Sequence, residues 1–217
     1  LTDLGLSTDG RIAAYYEERT AGFSTLDYDV DANEILWGVA LDAQLSDRAE
    51  VAVYYDDYTS DNGDVNREGG VELTYALTGA LTLGAGLAYV DINDGSEDGT
   101  RTDAALCLTY APNDDLSVFG YVQGTVDQTG TIDSNDRVGV GGSYAFADTW
   151  TVEGEVSDGD QGTGARIVFR QERGEQDSTY FGYELDPDRE IAGVDLVGND
   201  DGRLIFGGSR DLGNGWS

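Results

Sequence analysis

The sequence predicts an all-β fold: an antiparallel, up-and-down transmembrane β-barrel of about twelve or more strands. Three observations lead to this prediction. Apolar and polar residues alternate with period two over many segments of about ten residues, turn residues separate these segments, and short turns alternate with mostly longer, acidic loops along the chain. Helical periodicity is almost absent. We expect residues 1–217 to form a single barrel domain.

The first six alternating segments each present one apolar face and one mixed polar face. In residues 48–58, for example, Val51 and Val53 lie on one face, while Glu50 and Asp56 lie on the other. The apolar faces in chain order are Ile12, Ala14 and Tyr16; Ile35, Trp37, Val39 and Leu41; Ala49, Val51, Val53 and Tyr55; Val71, Leu73, Tyr75 and Leu77; Leu81, Leu83, Ala85, Leu87 and Tyr89; and Thr102, Ala104, Leu106, Leu108 and Tyr110.

The second half of the chain continues the same pattern with decreasing contrast between the faces. Residues 165–170 still alternate, whereas residues 180–185 and 203–209 have strand composition with a weaker difference between faces. The two clearest apolar faces here are Val138, Val140, Gly142, Tyr144 and Phe146, followed by Trp150, Val152, Gly154 and Val156.

The connections alternate in length along the chain. Short turns are predicted at residues 45–47, 78–80, 112–115, 147–149, 172–175 and 211–215, and mostly longer acidic loops at residues 21–32, 59–65, 93–99, 127–134, 158–162 and 186–201. Alternate connections of an up-and-down meander emerge at the same rim. The tight turns are therefore expected at one end of the sheet and the long loops at the other.

Composition excludes several functions. The net charge of −31 disfavours nucleic acid as a partner, because phosphate recognition needs a basic patch that this sequence lacks. All 12 basic residues are Arg and His is absent, which removes the usual general base and the commonest metal ligand. The single Cys107 cannot form an internal disulfide. We predict no enzymatic activity and no cofactor.

Three features favour a membrane over a soluble antiparallel sandwich, which shows similar alternation. The polar faces mix Arg, Asp and Glu with many small residues, which suits a crowded lumen. Segments of about ten residues, tilted by about 45°, are long enough to cross a membrane. Aromatic residues mark the strand ends as in interfacial girdles, at Tyr75, Tyr110, Tyr144, Phe146, Trp150 and Trp216 beside the short turns and at Tyr16, Tyr55 and Tyr89 opposite.

The hairpins at residues 110–116, 144–150 and 209–216 place a short acidic turn between aromatic or leucine residues. They resemble hairpins of Gram-negative outer-membrane β-barrels, both porins and the barrel domains of larger surface proteins. The resemblance implies location in the outer membrane, contact with its lipid and an oligomeric state left open. Such barrels commonly finish on a terminal aromatic residue, so the end at Trp216 and Ser217 leads us to expect a truncated barrel.

The polar faces then line a lumen, and we expect passive diffusion of small hydrophilic solutes through it, without covalent chemistry. A satisfied salt-bridge network that merely fills the lumen is the equally weighted alternative. The predicted pore-lining residues are Arg11, Glu34, Asp42, Arg48, Glu50, Glu72, Asp103, Arg137, Glu153, Glu155, Arg166, Arg170 and Arg203.

Two other functions stay open at this point. One is a plugged barrel that anchors a larger surface or secreted protein. The other is a soluble β module whose acidic loops, residues 91–99 and 195–201, coordinate calcium, although neither loop has EF-hand spacing. Glu153 and Glu155 share one face, but a solvated or arginine-paired strand face is favoured over a hydrolytic carboxylate pair.

Overall fold

The computed structural model describes residues 10–22, 30–173, 177–186 and 199–209, and it contains twelve strands. These are β1 Gly10–Arg19, β2 Glu34–Ser46, β3 Ala49–Ser60, β4 Val65–Ala76, β5 Leu81–Asn93, β6 Asp98–Asn113, β7 Leu116–Gly130, β8 Arg137–Ala147, β9 Trp150–Gly159, β10 Gly162–Glu172, β11 Ser178–Asp186 and β12 Asn199–Ser209.

The strands form one sheet in which each strand lies beside its neighbours in sequence, in the order β1 to β12. The hairpins are antiparallel throughout the β1 to β4 and β7 to β12 pairings. The predicted all-β, up-and-down antiparallel fold of about twelve strands is confirmed. No helix in the described ranges is long and apolar enough to cross a membrane.

Several strands extend well beyond the segments that alternation predicts. β6 has 16 residues and β7 has 15, and the loop expected at residues 59–65 contracts to residues 61–64. The loop expected at residues 93–99 likewise contracts to residues 94–97. The ladder continues through these polar ends, where Asp57 pairs with Arg67 and Thr59 with Val65. Near these strand ends both faces are polar, so the alternation of apolar and polar residues stops while the backbone hydrogen bonds continue. The strand ends predicted from alternation are therefore too early.

The predicted short turns at residues 45–47, 78–80, 112–115 and 147–149 all lie at the observed hairpin ends, with shifted bounds. The structure places the connections at residues 47–48, 77–80, 114–115 and 148–149. The turn predicted at residues 172–175 lies only partly within the described residues, and the one at residues 211–215, with Trp216, lies outside them.

The chain divides into two compact units. Unit 1 contains residues 1–76, 84–106 and 124–134, and unit 2 contains residues 77–83, 107–123 and 135–217. The predicted single domain stays a prediction.

Burial in unit 1 is the reverse of that in a soluble protein. The side chains on the apolar face are exposed, with Leu73 42% and Leu106 53% accessible. On the opposite face, Glu34, Arg101 and Asp103 are buried. Exposed apolar side chains beside buried charges are characteristic of a sheet whose polar face is the enclosed one.

Unit 2 shows the same inversion. Val138 and Val140 are more than half exposed, while Arg137 and Glu184 on the other face are buried, at 3% and 5%. Cross-strand pairing maintains the two faces, since paired residues project to the same side of a sheet. Val140 is paired with Val156, and Ile167 with Tyr183. In both units we call the apolar side the outward face and the polar side the inward face.

Aromatic residues lie at both ends of the outward face. Tyr75, Tyr110 and Tyr144 are exposed beside the short turns, and Tyr16 and Tyr89 are exposed at the other strand ends. On β5 the apolar stretch from Leu81 to Tyr89 measures about 26 Å at roughly 3.3 Å per residue. A strand tilted by about 40° then carries an apolar band about 20 Å tall, close to that of outer-membrane barrels.

Inward-facing aromatic rings lie over glycines on the neighbouring strand. Tyr121 pairs directly with Gly139, and a Cβ atom added to Gly139 would collide with the Tyr121 ring. The same arrangement recurs where Tyr15 pairs with Gly38, Tyr54 with Gly70, Phe119 with Gly141 and Tyr180 with Gly207. Each of these glycines leaves space for one particular aromatic ring of the inward face.

We predict that Gly139→Ala destabilises the protein by about 1–3 kcal/mol, the usual cost of overpacking, because the buried Tyr121 ring must move. The matched control is Gly86→Ala, another inward glycine, where the new Cβ would meet its nearest atoms at ordinary distances of 3.7 Å and 3.8 Å. Urea unfolding of both variants in lipid vesicles measures the difference. Equal stability of the two variants would contradict the ring-over-glycine account.

Candidate functional site

The candidate site in each unit is its inward face, and the inward faces of the two units carry eleven of the thirteen predicted pore-lining side chains. Arg48 instead lies exposed in the turn between β2 and β3. The backbone of Arg203 belongs to β12, but its side chain lies outside the described residues. The eleven are Arg11, Glu34, Asp42, Glu50, Glu72, Asp103, Arg137, Glu153, Glu155, Arg166 and Arg170. Their role as pore lining stays a prediction.

An acidic recess lies on the inward face of unit 1, near the short-turn end of β1 to β4. It is a cavity of about 550 Å³ whose lining includes Arg11, Asp42, Glu50 and Glu72. The register sets Arg11 beside Asp42, and Asp42 and Glu72 on either side of Ala52. Adjacent strands are about 4.8 Å apart, so Asp42 and Glu72 are separated by roughly 10 Å at the backbone. Three carboxylates face one arginine, which leaves this recess electronegative.

A second group of charges on unit 1 lies toward the other end of the same strands. Arg19 contacts Glu17 at 2.7 Å and Glu34 at 3.6 Å. The Tyr58 hydroxyl also donates to Glu34, at 3.2 Å. The Glu34 carboxylate is nearly buried, and these donors compensate for the loss of its hydration.

Arg101 and Asp103 form a buried ion pair on β6. Arg101 Nε donates to Asp103 Oδ2 at 2.7 Å, and the Thr125 hydroxyl donates to Asp103 Oδ1 at 2.6 Å. Arg101 Nη1 reaches the carbonyl oxygen of Asp133 at 3.1 Å. Both oxygens of the Asp103 carboxylate are therefore occupied. Asp103 is among the residues predicted from the sequence, but Arg101 and Thr125 are not, since both lie where the apolar alternation has already ended.

Unit 2 carries a denser network of ion pairs. Arg166 contacts Glu153 at 3.4 Å and Glu184 at 3.7 Å, and Arg170 contacts Glu153 at 3.8 Å. The Arg170 guanidinium also lies 5.8 Å from the centre of the Tyr180 ring. Glu153 is thus held by two arginines, which agrees with the arginine-paired strand face favoured by the sequence.

Two inward residues of unit 2, Tyr121 and Gln123, are not among those predicted from the sequence. The Tyr121 hydroxyl donates to Glu155 at 2.9 Å, and Gln123 Nε2 donates to the carbonyl oxygen of Asn135 at 3.0 Å. β7 places Val118 and Val122 outward but Phe119 and Tyr121 inward, so both faces look apolar in sequence and no alternation is visible. The only sequence feature that indicates a strand here is the number of residues between the predicted strands on either side, which is large enough to hold β7.

A charged cluster also occurs on the outward face of unit 1. Arg67 donates to Asp57 at 2.9 Å and to Asp91 at 3.0 Å. Asp57 and Asp91 each lie two residues beyond an aromatic residue of the outward face, Tyr55 and Tyr89 respectively. Charges cannot face hydrocarbon cheaply, so this cluster marks where the apolar band ends on β3 to β5.

The loop at residues 94–97 is organised by one carboxylate. Asp94 Oδ1 accepts hydrogen bonds from the backbone nitrogen of Glu97 and from both the backbone nitrogen and hydroxyl of Ser96, at 2.7–2.9 Å. These donors, the Glu97 amide first, lower the pKa of Asp94 to about 2. Among the residues with described positions, no group of three or more His, Cys, Asp or Glu is placed to hold a metal. Calcium binding by this loop stays a prediction, and residues 195–201 lie largely outside the described part.

No family model and no curated protein matches the chain. The solved structures to which it is similar include the following three. The first is described as "KdgM porin in complex with disordered oligogalacturonate", at 9% identity and TM-score 0.45, over 81% of this chain and 90% of that one. The Pseudomonas putida toluene transporter TodX has 10% identity and TM-score 0.48, over 81% and 72%. The Ralstonia pickettii toluene transporter TbuX has 14% identity and TM-score 0.46, over 83% and 73%.

We predict that the carboxyl of Asp94 titrates with a midpoint near 2, as its lowered pKa requires. The turn is then stabilised above the ordinary carboxyl pKa, and that contribution is lost as the pH falls toward 2. Carboxyl-detected NMR of the protein in detergent micelles measures the midpoint. Ser96→Ala removes one donor and should raise it. A midpoint at the ordinary value of 3.8 in the unsubstituted protein would contradict this geometry.

Proposed function

We propose that the protein is an outer-membrane β-barrel channel for the passive diffusion of small hydrophilic solutes through a charged lumen. One observation carries the proposal: in both units, charged side chains are buried on the inward face while large apolar side chains are exposed on the outward face. In water, such an outward face would be an aggregation surface. In a bilayer, the same face contacts hydrocarbon at no hydrophobic cost.

Strand pairing supports a barrel over an open sheet. A membrane-spanning β-sheet must pair every backbone polar group, and only closure removes the two edges. Among the described residues the sheet has twelve consecutive strands, each beside its neighbours in sequence, as in an up-and-down barrel. We infer that the sheet of the intact protein closes, so that no strand edge is left unpaired in the membrane.

The distribution of charge supports a preference for cations. The inward face of unit 1 carries eight carboxylates against three arginines among the described residues: Glu17, Glu34, Asp42, Glu50, Asp56, Glu68, Glu72 and Asp103 against Arg11, Arg19 and Arg101. In unit 2 the described inward charges are closer to balance, with Glu153, Glu155, Glu172 and Glu184 against Arg137, Arg166 and Arg170. An electronegative wall raises the local concentration of cations.

We infer further that the channel has no enzymatic activity and needs no cofactor to conduct. The chain has no His or Lys, and Glu153 is engaged by two arginines. Small solutes and membrane lipid are its proposed partners. The contrasting function is a plugged anchor barrel, in which the ion pairs fill the lumen. A measurement of conductance distinguishes the two functions, because only the channel should conduct.

We predict that the refolded protein produces discrete steps of current in planar bilayers. In a KCl gradient, the sign of the reversal potential should show that K⁺ is more permeant than Cl⁻. Asp42→Asn, Glu50→Gln and Glu72→Gln combined should lower the K⁺ over Cl⁻ permeability ratio by up to about fivefold, since a charge about 4 Å away contributes about 1 kcal/mol in water. The effect should weaken at molar salt.

The control is Asp148→Asn, which removes a charge from the turn between β8 and β9 and leaves the recess unchanged. Its permeability ratio should stay near that of the unsubstituted protein. Stable insertion without conductance would replace the channel with the plugged anchor. Anion selectivity, or equal effects of the turn and recess substitutions, would contradict the acidic recess as the source of selectivity.

A further inference from the structure

The acidic recess on the inward face of unit 1 has the size and accessibility of a solute-binding site. Its volume of about 550 Å³ lies within the range of about 300–1,000 Å³ that is typical of small-molecule sites. Of its charged lining residues, Asp42 and Glu50 are exposed and Glu72 is half-buried. A solute on the inward side therefore reaches these carboxylates directly.

Strand register gathers the three carboxylates of the recess around one small residue. Ala52 is the direct cross-strand partner of both Asp42 and Glu72. Glu50 lies two residues before Ala52 on β3 and projects to the same face of the sheet. Adjacent strands are about 4.8 Å apart and two residues along a strand span about 6.7 Å, so Glu50 is about 8 Å from the other two at the backbone. Because Ala52 carries only a methyl group, the space between the three carboxylates stays open.

Arg11 gives the recess one positive group, at its β1 side. It is the direct cross-strand partner of Asp42 and lines the same cavity. Three strand spacings, or about 14 Å along the sheet, separate the backbones of Arg11 and Glu72. The recess therefore has a positive end on β1 and three negative groups on β2, β3 and β4.

None of these four charged side chains forms an ion pair or a hydrogen bond within the described part of the chain. Arg11 and Asp42 are direct cross-strand partners, yet they do not pair with each other. Elsewhere on the inward face of unit 1 the usual solution is seen, since Arg101 contacts Asp103 at 2.7 Å. The charges of the recess are thus available to a solute without the loss of an existing contact.

We propose that the acidic recess binds a small organic solute with two cationic groups and one carboxylate, the charge pattern of a basic amino acid. The two cations contact the carboxylates of Asp42, Glu50 and Glu72, and the solute carboxylate accepts hydrogen bonds from the Arg11 guanidinium. A metal ion or a simple diamine leaves Arg11 without a counterion and brings positive charge beside it. The site rests on the proposed channel function, to which it adds a class of recognised solute.

Isothermal titration calorimetry in detergent micelles at low salt tests the site with free L-arginine, agmatine and L-citrulline. Agmatine is arginine without its carboxylate, and citrulline replaces the guanidinium with a neutral group of similar shape. A merely electronegative wall attracts the doubly charged agmatine more strongly than the singly charged amino acid. We expect the opposite order, with saturable binding of L-arginine and affinities lower by about fivefold or more for agmatine and L-citrulline.

Two substitutions separate the two ends of the recess. Arg11→Gln should lower the affinity for L-arginine by about fivefold and remove its preference over agmatine, because only the solute carboxylate loses its partner. Glu72→Gln should weaken the binding of both compounds. The matched control is Arg48→Gln, which removes an exposed arginine of the same unit from the turn between β2 and β3. Its preference for L-arginine should equal that of the unsubstituted protein.

Unchanged urea unfolding in lipid vesicles establishes that each variant is folded. Stronger binding of agmatine than of L-arginine by the unsubstituted protein, or no saturable binding of L-arginine, would overturn the site. Equal effects of Arg11→Gln and Arg48→Gln would overturn it as well. Conductance in KCl is measured without these compounds, so failure of the site and failure of the channel are distinguishable.

Discussion

The hydrogen-bonded ladder between successive strands is the constraint on which the rest of the structure depends. Backbone groups that face hydrocarbon have no water to bind, so a strand is stable there only when its neighbours pair with it along its whole length. Fixed register then forces alternate residues to one side. The pairing of Val53 with Val71, and of Ala52 with Glu72, shows how one ladder sorts apolar and charged side chains onto opposite faces.

The register places charged side chains and large aromatic rings together on the inward face. Two local arrangements make this possible. Rings such as Tyr121 lie over directly paired glycines, and arginines such as Arg166 contact carboxylates on neighbouring strands. In the acidic recess of unit 1 this pairing is incomplete, because three carboxylates line it with one arginine.

Alternation was sufficient to predict strand number, topology and the inward position of residues such as Glu34, Asp103 and Arg137, because a period of two assigns faces without knowledge of contacts. It failed where the two faces have similar polarity. β7 carries Phe119 and Tyr121 inward, and the polar ends of β3 and β4 continue the ladder past the apolar band. Arg48 was placed on a strand, although it lies in a two-residue turn. Hydrogen-bond partners such as Thr125 and Ser157 lie on the neighbouring strand, 22 and 20 residues away in the sequence, and leave no local signal.

The most direct test of the inverted sheet is the lipid exposure of three consecutive residues on β6. Cys107 is the native thiol on the inward side, and Leu106 and Leu108 flank it on the outward face. A bimane label at Cys107, or at Leu106→Cys or Leu108→Cys combined with Cys107→Ala, is exposed to nitroxide-labelled lipids in vesicles. The account predicts strong quenching at 106 and 108 and weak quenching at 107. Uniform quenching across the three positions, or strongest quenching at 107, would contradict it.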